Sequence, residues 1–536
     1  MEAPAKIQNE IPNEPLHDLV GRANTDRYHE LALNLTGLAA LLLGLGVLAA
    51  RWRLPLLGMH SFRQTHTAIT SYWLMHGSPW FAYETPVLGA PWSVPYEFPF
   101  YQLLVAGLAE LTGLPLDPSG RLVSYLFIVL TIIPVRMLDR AWKLDKSYVH
   151  VFAILLFTSP IYLFWGTAFL VETFFVFFCF WFLAEVELAT RSSHWTVLVL
   201  AVFCGAVGAL GKITTFVPFA CLAGLILLDD LVKRFRRQEP LLRPILSDGA
   251  IMAIPFTLFE FWTRFADNQK RRNPIAIHMV STLPSTRRWY LGTWAQVFSV
   301  DMLHTLLRAA TDTLGVLAVP IVIASVPLAL SYKIIDRRNG IILLGASSAF
   351  LLPFLLFANS HIVHNYYDTE NAIFLICAQS IVVSRLFSTG HRQGGWNLIA
   401  LIIASQLVWF GLFFVRDIRN PLDRPLLAIV QAIDERTDPE SVVVIYGQDW
   451  SSVIPYYARR RALMAPDTVP VDEKIERAHR MLAPQGGHPV EAVVRCKSEL
   501  DQSSEFNRIF ADLGTHVSKQ RIAGCDVYFV GNSSRR

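Results

Sequence analysis

The chain has 536 residues, of which 53% are hydrophobic. Only 17% are charged, whereas a typical soluble domain has about 25% charged residues. The mean hydropathy is +0.38, and the formal net charge of +4 is too small to indicate a nucleic-acid partner. These values exclude an ordinary soluble protein and predict a polytopic membrane protein.

The N-terminal residues 1–30 form a polar segment that contains Pro12 and Pro15. No apolar run begins near Met1, so the sequence does not predict a cleaved signal peptide. The first apolar run, about Leu31 to Ala50, is long enough to cross a membrane. It is therefore predicted to be an uncleaved anchor that follows a cytoplasmic tail.

About eleven apolar runs are predicted to span the membrane. They lie near 31–50, 121–138, 149–167, 172–189, 195–211, 214–230, 247–265, 314–332, 340–358, 372–388 and 396–415. With a cytoplasmic N-terminus, most basic loop residues fall inside, as the positive-inside rule requires. An odd number of spans then places the C-terminus on the periplasmic side.

Two basic clusters break that rule, Lys270-Arg271-Arg272 and Arg287-Arg288, because both fall in predicted outside loops. Two explanations stay open for them. One is solvated surface, and the other is binding of a phosphate or an anionic lipid head group.

The first outside loop covers roughly residues 51–120 and predicts two interfacial helices. One runs from His60 to about His76 and the other from Pro99 to about Thr112, and amphipathic helices of this kind lie in the membrane interface. The stretch between them is rich in aromatic residues: Trp80, Tyr83, Trp92 and Tyr96. An aromatic belt and stacking on sugar rings are both compatible with it.

Polar clusters lie at the ends of three apolar spans, all on the predicted outside face. The first is His60–His66 with Tyr96-Glu97, the second is Glu172, and the third is His361–Asp368. Ionisable groups at the rim of a membrane domain are costly to hold there, so they are functional candidates by default. Three clusters on one face predict one site.

From about residue 416 the composition becomes that of a soluble domain. Strands are predicted at Ser441–Tyr446, Val490–Arg495 and Asp526–Val530, and an amphipathic helix at Ser503–Leu513. The predicted organisation is therefore 1–30 tail, 31–415 transmembrane domain and 416–536 soluble α/β domain. Cys496 and Cys525 are the only cysteines of that last domain. In an oxidising compartment they can pair, and we predict a bridge, although chance placement is the alternative.

The order of these motifs resembles that of the GT-C superfamily of polyprenyl-phosphate-sugar-dependent glycosyltransferases. The most similar branch contains protein O-mannosyltransferases and the aminoarabinose transferases that modify lipid A. The resemblance covers about residues 30–415. Its motifs are Glu97-Phe98-Pro99-Phe100-Tyr101, Ser159-Pro160, Glu172-Thr173, Gly211-Lys212 and His364-Asn365-Tyr366-Tyr367. The trailing domain with Tyr456-Tyr457-Ala458-Arg459-Arg460 is also common in bacterial members. This chain departs from the family at His60-Ser61-Phe62-Arg63-Gln64, where the family has an acidic Asp-Glu pair.

The resemblance implies an α-helical GT-C membrane fold with a small C-terminal α/β domain in the periplasm. It also implies an inverting transfer of a sugar at the outer face of a bacterial inner membrane. The donor would be a polyprenyl-phosphate sugar, and the acceptor hydroxyl would belong to a glycan, a lipid or a protein. Membrane lipids would surround the protein.

Such a transfer needs a general base for the acceptor and cations for the departing phosphate. Glu172, His60 and Glu97 are the catalytic candidates, and which of them is the base stays open. The substrate-binding candidates are Arg63, Gln64, Tyr96, Lys212, Arg271, Arg272, His361, His364, Tyr366 and Tyr367. A divalent metal ion stays open as a cofactor. The sequence has neither a GxGxxG nor a P-loop pattern, so a bound nucleotide is not predicted.

Two other classes of protein stay open. A transporter or flippase of lipid-linked glycans would place charges near the bilayer midplane and often has repeated halves, and this sequence shows neither. A binding subunit whose catalytic residues have decayed is the third interpretation, because the acidic pair of the first loop is missing.

Overall fold

A computed structural model describes residues 16–192, 194–331 and 335–530, and the chain in these ranges is mostly helical. The first eleven helices are α1 (Leu16–Arg51), α2 (Ser61–Met75), α3 (Phe100–Thr112), α4 (Leu116–Leu130), α5 (Ile132–Trp142), α6 (Tyr148–Thr158), α7 (Pro160–Phe164), α8 (Glu172–Ala189), α9 (Trp195–Gly211), α10 (Ile213–Arg236) and α11 (Leu242–Lys270). The remaining helices are α12 (Pro284–Leu291), α13 (Trp294–Val297), α14 (Val300–Leu314), α15 (Ala318–Ser331), α16 (Arg337–Leu356), α17 (Ala358–Val363), α18 (Asp368–Ser388), α19 (Arg392–Trp409), α20 (Val415–Arg419), α21 (Leu426–Arg436), α22 (Val453–Ala458), α23 (Val471–Ala478) and α24 (Ser504–His516).

Within the described ranges, seven helical stretches are long and apolar enough to cross a membrane: Arg27–Arg51, Leu116–Trp142, Ile213–Arg236, Leu242–Lys270, Arg337–Leu356, Asn365–Ser388 and Arg392–Arg419. Two further stretches qualify as bent pairs, α6 with α7 at 62° and α14 with α15 at 87°. The helices α8 and α9 occupy the two remaining predicted spans. Every predicted span therefore coincides with helical structure.

Two predicted boundaries differ from the structure. The first helix begins at Leu16 rather than near Leu31, because a helix needs no apolar residues where it extends beyond the membrane. The predicted span 314–332 is not one straight helix, because α14 ends at Leu314 and Gly315 adopts a left-handed φ of 86°. A residue with a Cβ is strained in that conformation, so glycine ends the helix and turns the chain.

The centre of the membrane domain is formed by α8 and α18. The phenylalanine-rich helix α8 packs against α4, α5, α9 and α10, and α18 packs against α6 and α16. Nearly all of the helical stretch Asn365–Ser388 is buried, so polar side chains near its start, such as Asp368 and Glu370, lie inside the protein.

The two predicted interfacial helices are present as α2 and α3. They pack against each other, and α2 also contacts α22 of the C-terminal domain. Among the aromatic residues between them, Trp80 is 67% exposed and Tyr83 is buried. The aromatic-rich stretch is therefore divided between surface and interior.

The C-terminal domain contains a five-stranded sheet in the order β2-β1-β3-β5-β4. Its strands are β1 (Val442–Tyr446), β2 (Arg461–Met464), β3 (Val490–Arg495), β4 (Ser518–Ile522) and β5 (Cys525–Phe529). Strand β1 is parallel to β2 and β3, and β5 is antiparallel to β3 and β4. The three predicted strands are confirmed. The sequence did not predict β2 and β4, which are edge strands, and edge strands are often short and rich in charge.

The predicted disulfide between Cys496 and Cys525 is present in the structure. It joins the residue after β3 to the first residue of β5, which are neighbouring strands.

The C-terminal domain is docked on the first outside loop through the backbone. The amide of Ala462 donates to the carbonyl of Pro86 at 2.8 Å, and the amide of Met464 donates to Val87 at 3.0 Å, so the loop extends the sheet at β2. The hydroxyls of Tyr456 and Tyr457 donate to Asp117 at 2.6 and 2.9 Å. These bonds fix the domain above the interfacial helices.

Candidate functional site

The deepest part of the site is a lysine between two carboxylates. Lys212 Nζ lies 2.5 Å from Oε1 of Glu172 and 2.5 Å from Oε1 of Glu370. The ammonium also lies 4.3 Å from the ring centre of Tyr367 and 5.4 Å from that of Tyr366, within the range of a cation–π interaction. The side-chain exposures are 9% for Lys212, 1% for Glu172 and 0% for Glu370. The ammonium is therefore held in one place by two carboxyl groups and two aromatic faces.

The local sequence explains how Lys212 reaches Glu172. Gly211 ends α9 directly before Lys212, and a Cβ at Gly211 would overlap the ring of Phe175. Phe175 lies on α8, one turn after Glu172. Only glycine lets the end of α9 approach α8 this closely, which brings the lysine to the first residue of α8.

A second ion pair lies nearer the surface. Arg63 Nη2 on α2 is 3.2 Å from Oε1 of Glu97, and the side-chain amide of Gln102 donates to the same oxygen at 2.9 Å. The side chains of Arg63 and Glu97 are 15% and 12% exposed. Burial opposes ionisation of Glu97, but Arg63 and a backbone hydrogen bond outweigh it, so the pKa of Glu97 lies below its usual value. Glu97 is therefore an ionised, partly accessible carboxylate at neutral pH.

His60 lies at the start of α2, with a left-handed φ of 50°. Its Nε2 is 2.9 Å from Oδ1 of Asn365, and since that oxygen can only accept, Nε2 carries the proton and Nδ1 is the acceptor. The ring lies 5.1 Å from that of His364 and 5.0 Å from that of Tyr366. Burial lowers the pKa of His60 to about 4, so the imidazole is neutral at pH 7.

His361 belongs to a hydrogen-bonded network next to Tyr366 and Tyr367. Its Nδ1 lies 3.0 Å from Oδ1 of Asp368, and Arg308 lies 3.1 Å from Oδ2 of the same carboxylate. Arg308 also donates to the carbonyl of His361 at 2.6 Å. His361 and Asp368 are both fully buried. This network fixes the turn that presents Tyr366 and Tyr367.

The three polar clusters predicted from the sequence converge on one site. Arg63 interacts electrostatically with Glu172, and so does His60. Glu97 interacts in the same way with Lys212. The loop before α2, the start of α8 and the segment before α18 thus contribute to a single cluster of charge.

Three of the predicted binding residues have other surroundings. Gln64 is buried, donates to the carbonyl of Met59 at 3.1 Å and accepts from the amide of Phe169 at 3.4 Å, so it connects two backbone segments. Arg271 and Arg272 are exposed, and their hydrogen bonds go to nearby residues. Within the described ranges, these hydrogen bonds do not connect either arginine to the cluster. The role of Arg271 and Arg272 in substrate binding therefore stays a prediction.

Tyr96 lies at the other side of the Arg63–Glu97 pair. Lys270 Nζ is 4.5 Å from its ring centre, and the rings of His66 and Trp450 are 5.4 and 5.6 Å away. The C-terminal domain therefore reaches the residue next to Glu97.

Sequence reasoning missed Glu370 and Tyr290. Glu370 lies two residues before the predicted apolar run 372–388, and an acidic residue at the start of a span is the same signal that identified Glu172. Tyr290 lies on α12 and interacts electrostatically with Arg63, Glu97 and Lys212. No sequence motif indicated it, because only the tertiary structure brings α12 over the site.

Within the part of the chain that the structure describes, no three His, Cys, Asp or Glu side chains are arranged to hold a metal ion. The carboxylates of the cluster pair with Lys212 and Arg63. The divalent metal that the sequence left open stays a prediction.

Comparison with solved structures identifies the fold. The chain is similar to ArnT from Cupriavidus metallidurans bound to undecaprenyl phosphate, with a TM-score of 0.59 and 14% identity over 93% of this chain and 98% of ArnT. Apo ArnT has a TM-score of 0.51 and 15% identity over 94% of this chain and 98% of ArnT. A mycobacterial arabinofuranosyltransferase, the AftD mutant R1389S in class 2, has a TM-score of 0.51 and 12% identity over 94% of this chain and 42% of AftD.

No protein-family model matches the sequence, and neither does any curated protein. The structural likeness is to GT-C proteins. The chain therefore has the GT-C membrane fold, with a small C-terminal sheet domain, as predicted.

Proposed function

We propose that this protein is an inverting glycosyltransferase that moves a sugar from a polyprenyl-phosphate donor to an acceptor hydroxyl. The observation that carries the proposal is the convergence of Lys212, Arg63 and Glu97 in one partly buried site of a GT-C fold. The ArnT structure with undecaprenyl phosphate supports a lipid phosphate as part of the donor.

The proposed division of roles follows exposure. A base must touch the acceptor, and Glu97 at 12% exposure is more accessible than Glu172 at 1% or Glu370 at 0%. We assign Glu97 as the base. Glu172 and Glu370 then act as positioning residues, because they fix the ammonium of Lys212. The sequence had left open which of Glu172, His60 and Glu97 is the base.

In the proposed reaction, the acceptor oxygen attacks the anomeric carbon on the face opposite the phosphate. The bond between that carbon and the phosphate oxygen breaks, and the polyprenyl phosphate leaves with the electron pair. The acceptor proton passes to Glu97. Lys212 and Arg63 stabilise the negative charge that develops on the phosphate, and such stabilisation is strong where water is excluded. No step is assigned to a metal ion.

His60 has a supporting role in this scheme. Its neutral ring and its bond to Asn365 place it between the first loop and the Tyr366 turn. With a pKa of about 4, it stays neutral at pH 7. We propose that it orients the donor beside His364 and Tyr366.

The proposed orientation has the N-terminus in the cytoplasm and the C-terminal domain in the bacterial periplasm. The basic-loop asymmetry and the Cys496–Cys525 bridge support it, since disulfides persist in oxidising compartments.

Binding of undecaprenyl phosphate to the purified full-length protein in nanodiscs tests the proposal. We expect saturable binding that Lys212→Gln weakens about tenfold or more, because a buried charge-assisted contact is worth roughly 1.5–3 kcal/mol. Lys233→Gln is the matched control, since Lys233 is 59% exposed and pairs with Asp229 within its own helix. Absence of specific binding by the native protein, or equal binding by both variants, would contradict the proposal.

A further inference from the structure

A second substrate must reach Glu97 from a side that the donor does not occupy. Successive positions along helix α2 define two sides of the site. At its start, His60 faces His364 and Tyr366, the elements assigned above to the donor. Arg63 is one turn further on, and His66 lies about 4.5 Å along the helix axis beyond Arg63. The elements around His66 therefore lie at the opposite side of the Arg63–Glu97 pair.

That opposite side is formed by a loop of the C-terminal domain. The ring of Trp450 lies 4.9 Å from that of His66 and 5.6 Å from that of Tyr96, tilted by 38° to the latter. The hydroxyl of Ser452 is 3.3 Å from Nδ1 of His66. Tyr96 directly precedes Glu97 in the chain. The indole is thus the part of the C-terminal domain that approaches the proposed base.

The backbone conformation of the loop after β1 turns Trp450 toward Tyr96. Gly447 has a left-handed φ of 80°, and a Cβ there would overlap the carbonyl of Cys496. Asp449 also has a left-handed φ, 47°, and its carboxylate accepts from the amide of Asp467 at 2.7 Å. Both features turn the chain sharply after β1. The chain therefore turns between Gly447 and Asp449, directly before Trp450.

The chemistry of this surface suits a sugar ring. Trp450 and Tyr96 are both partly exposed and present aromatic faces, while Asp449 is partly exposed beside them. Asp449 interacts electrostatically with Tyr96. Lys270 is buried, lies 3.8 Å from Asp267 and 4.5 Å from the ring centre of Tyr96, and therefore covers one face of that ring. Aromatic faces cover the apolar C–H face of a pyranose, and neighbouring charged groups can bond its hydroxyls. A lipid chain would need no charged groups here.

We propose that Trp450, Tyr96 and Asp449 form an acceptor subsite for a carbohydrate, so that the acceptor hydroxyl belongs to a glycan. This inference rests on the proposed function. It also assigns the C-terminal domain a part in substrate recognition, because the indole comes from that domain.

The test uses the full-length protein in nanodiscs and an array of soluble mono- and oligosaccharides, with Ser- and Thr-containing peptides as the alternative probes. We expect pyranosides to bind, and Trp450→Ala to weaken this binding roughly 3- to 10-fold, the range of an aromatic contact. Trp450→Phe should restore most of it. Trp80→Ala is the control, because Trp80 is 67% exposed and lies elsewhere on the first loop.

Undecaprenyl phosphate binding is measured on the same samples. It should be unchanged by Trp450→Ala, which also reports that the variant is folded. Equal glycan binding by the native protein and Trp450→Ala, or binding of the peptides instead of the glycans, would overturn the subsite and leave the donor assignment standing. If the native protein does not bind undecaprenyl phosphate, the proposed function is contradicted instead.

Discussion

The assignment of the base can be decided with three substitutions of one kind, Glu97→Gln, Glu172→Gln and Glu370→Gln. Each keeps the size of the side chain and removes its charge. General-base assistance is typically worth 10²–10⁴ in rate, which corresponds to about 2.7–5.4 kcal/mol in the activation barrier. We expect Glu97→Gln to lose turnover by that factor.

The two deeper carboxylates should behave differently. In Glu172→Gln the ammonium of Lys212 keeps Glu370 at 2.5 Å, and in Glu370→Gln it keeps Glu172 at 2.5 Å. One anion remains in each variant, so Lys212 stays charged but is less firmly placed. We expect a loss of about tenfold in each, of the order of one charge-assisted hydrogen bond. Removing both anions should leave an uncompensated buried charge and destabilise the protein by roughly 3–5 kcal/mol.

The assay measures polyprenyl phosphate released in proteoliposomes, with polyprenyl-phosphate sugars extracted from bacterial membranes as donor. This readout does not require the sugar to be known. Thermal melting of each variant controls for folding, since Glu97→Gln also removes the partner of Arg63. Near-normal turnover in Glu97→Gln together with a 10²–10⁴-fold loss in Glu172→Gln would refute the assignment and identify Glu172 as the base.

Four further predictions concern topology, the disulfide, the surface arginines and pH. A reporter fused after Ser534 should be periplasmic and one fused at Arg237 cytoplasmic; a cytoplasmic C-terminal fusion would overturn the orientation. Alkylation and mass spectrometry of unreduced protein should find Cys496 and Cys525 unlabelled, whereas two labelled thiols would contradict the bridge. Arg271→Gln with Arg272→Gln should weaken undecaprenyl phosphate binding, as expected of cations that hold a lipid phosphate; binding within about twofold of the native protein would assign these exposed side chains to the surface. Burial lowers the pKa of His66 to about 3 and that of His60 to about 4. From pH 6.5 down to about 4 the unfolded chain therefore binds protons that the folded chain does not, and the melting temperature should fall over this range. His66→Gln should make that fall shallower, and an equal slope in the variant would contradict the buried, neutral state of His66.

The sequence determined the elements and the kind of site, because each depends on local patterns. Apolar length predicted the membrane helices, and short runs rich in valine and other apolar residues predicted β1, β3 and β5. Ionisable residues at span ends are costly unless they have partners, and this identified Glu172, whereas Lys212 was indicated by the resemblance to the GT-C superfamily. Two cysteines in one small domain were sufficient to predict the bridge.

Only the tertiary structure decided how these residues are paired. Glu172 and Lys212 are forty positions apart, and Glu370 lies much further along the chain, so no periodicity relates them. Their ion pairs depend on the close approach of α9 to α8 and on the burial of α18. The contact between Trp450 and Tyr96 also depends on tertiary structure, because it requires the loop at Pro86 to pair with β2. Glu97 and Glu172 differ in side-chain exposure, which is decided by tertiary packing. The sequence could therefore not show which of the two carboxylates is the better candidate for the base.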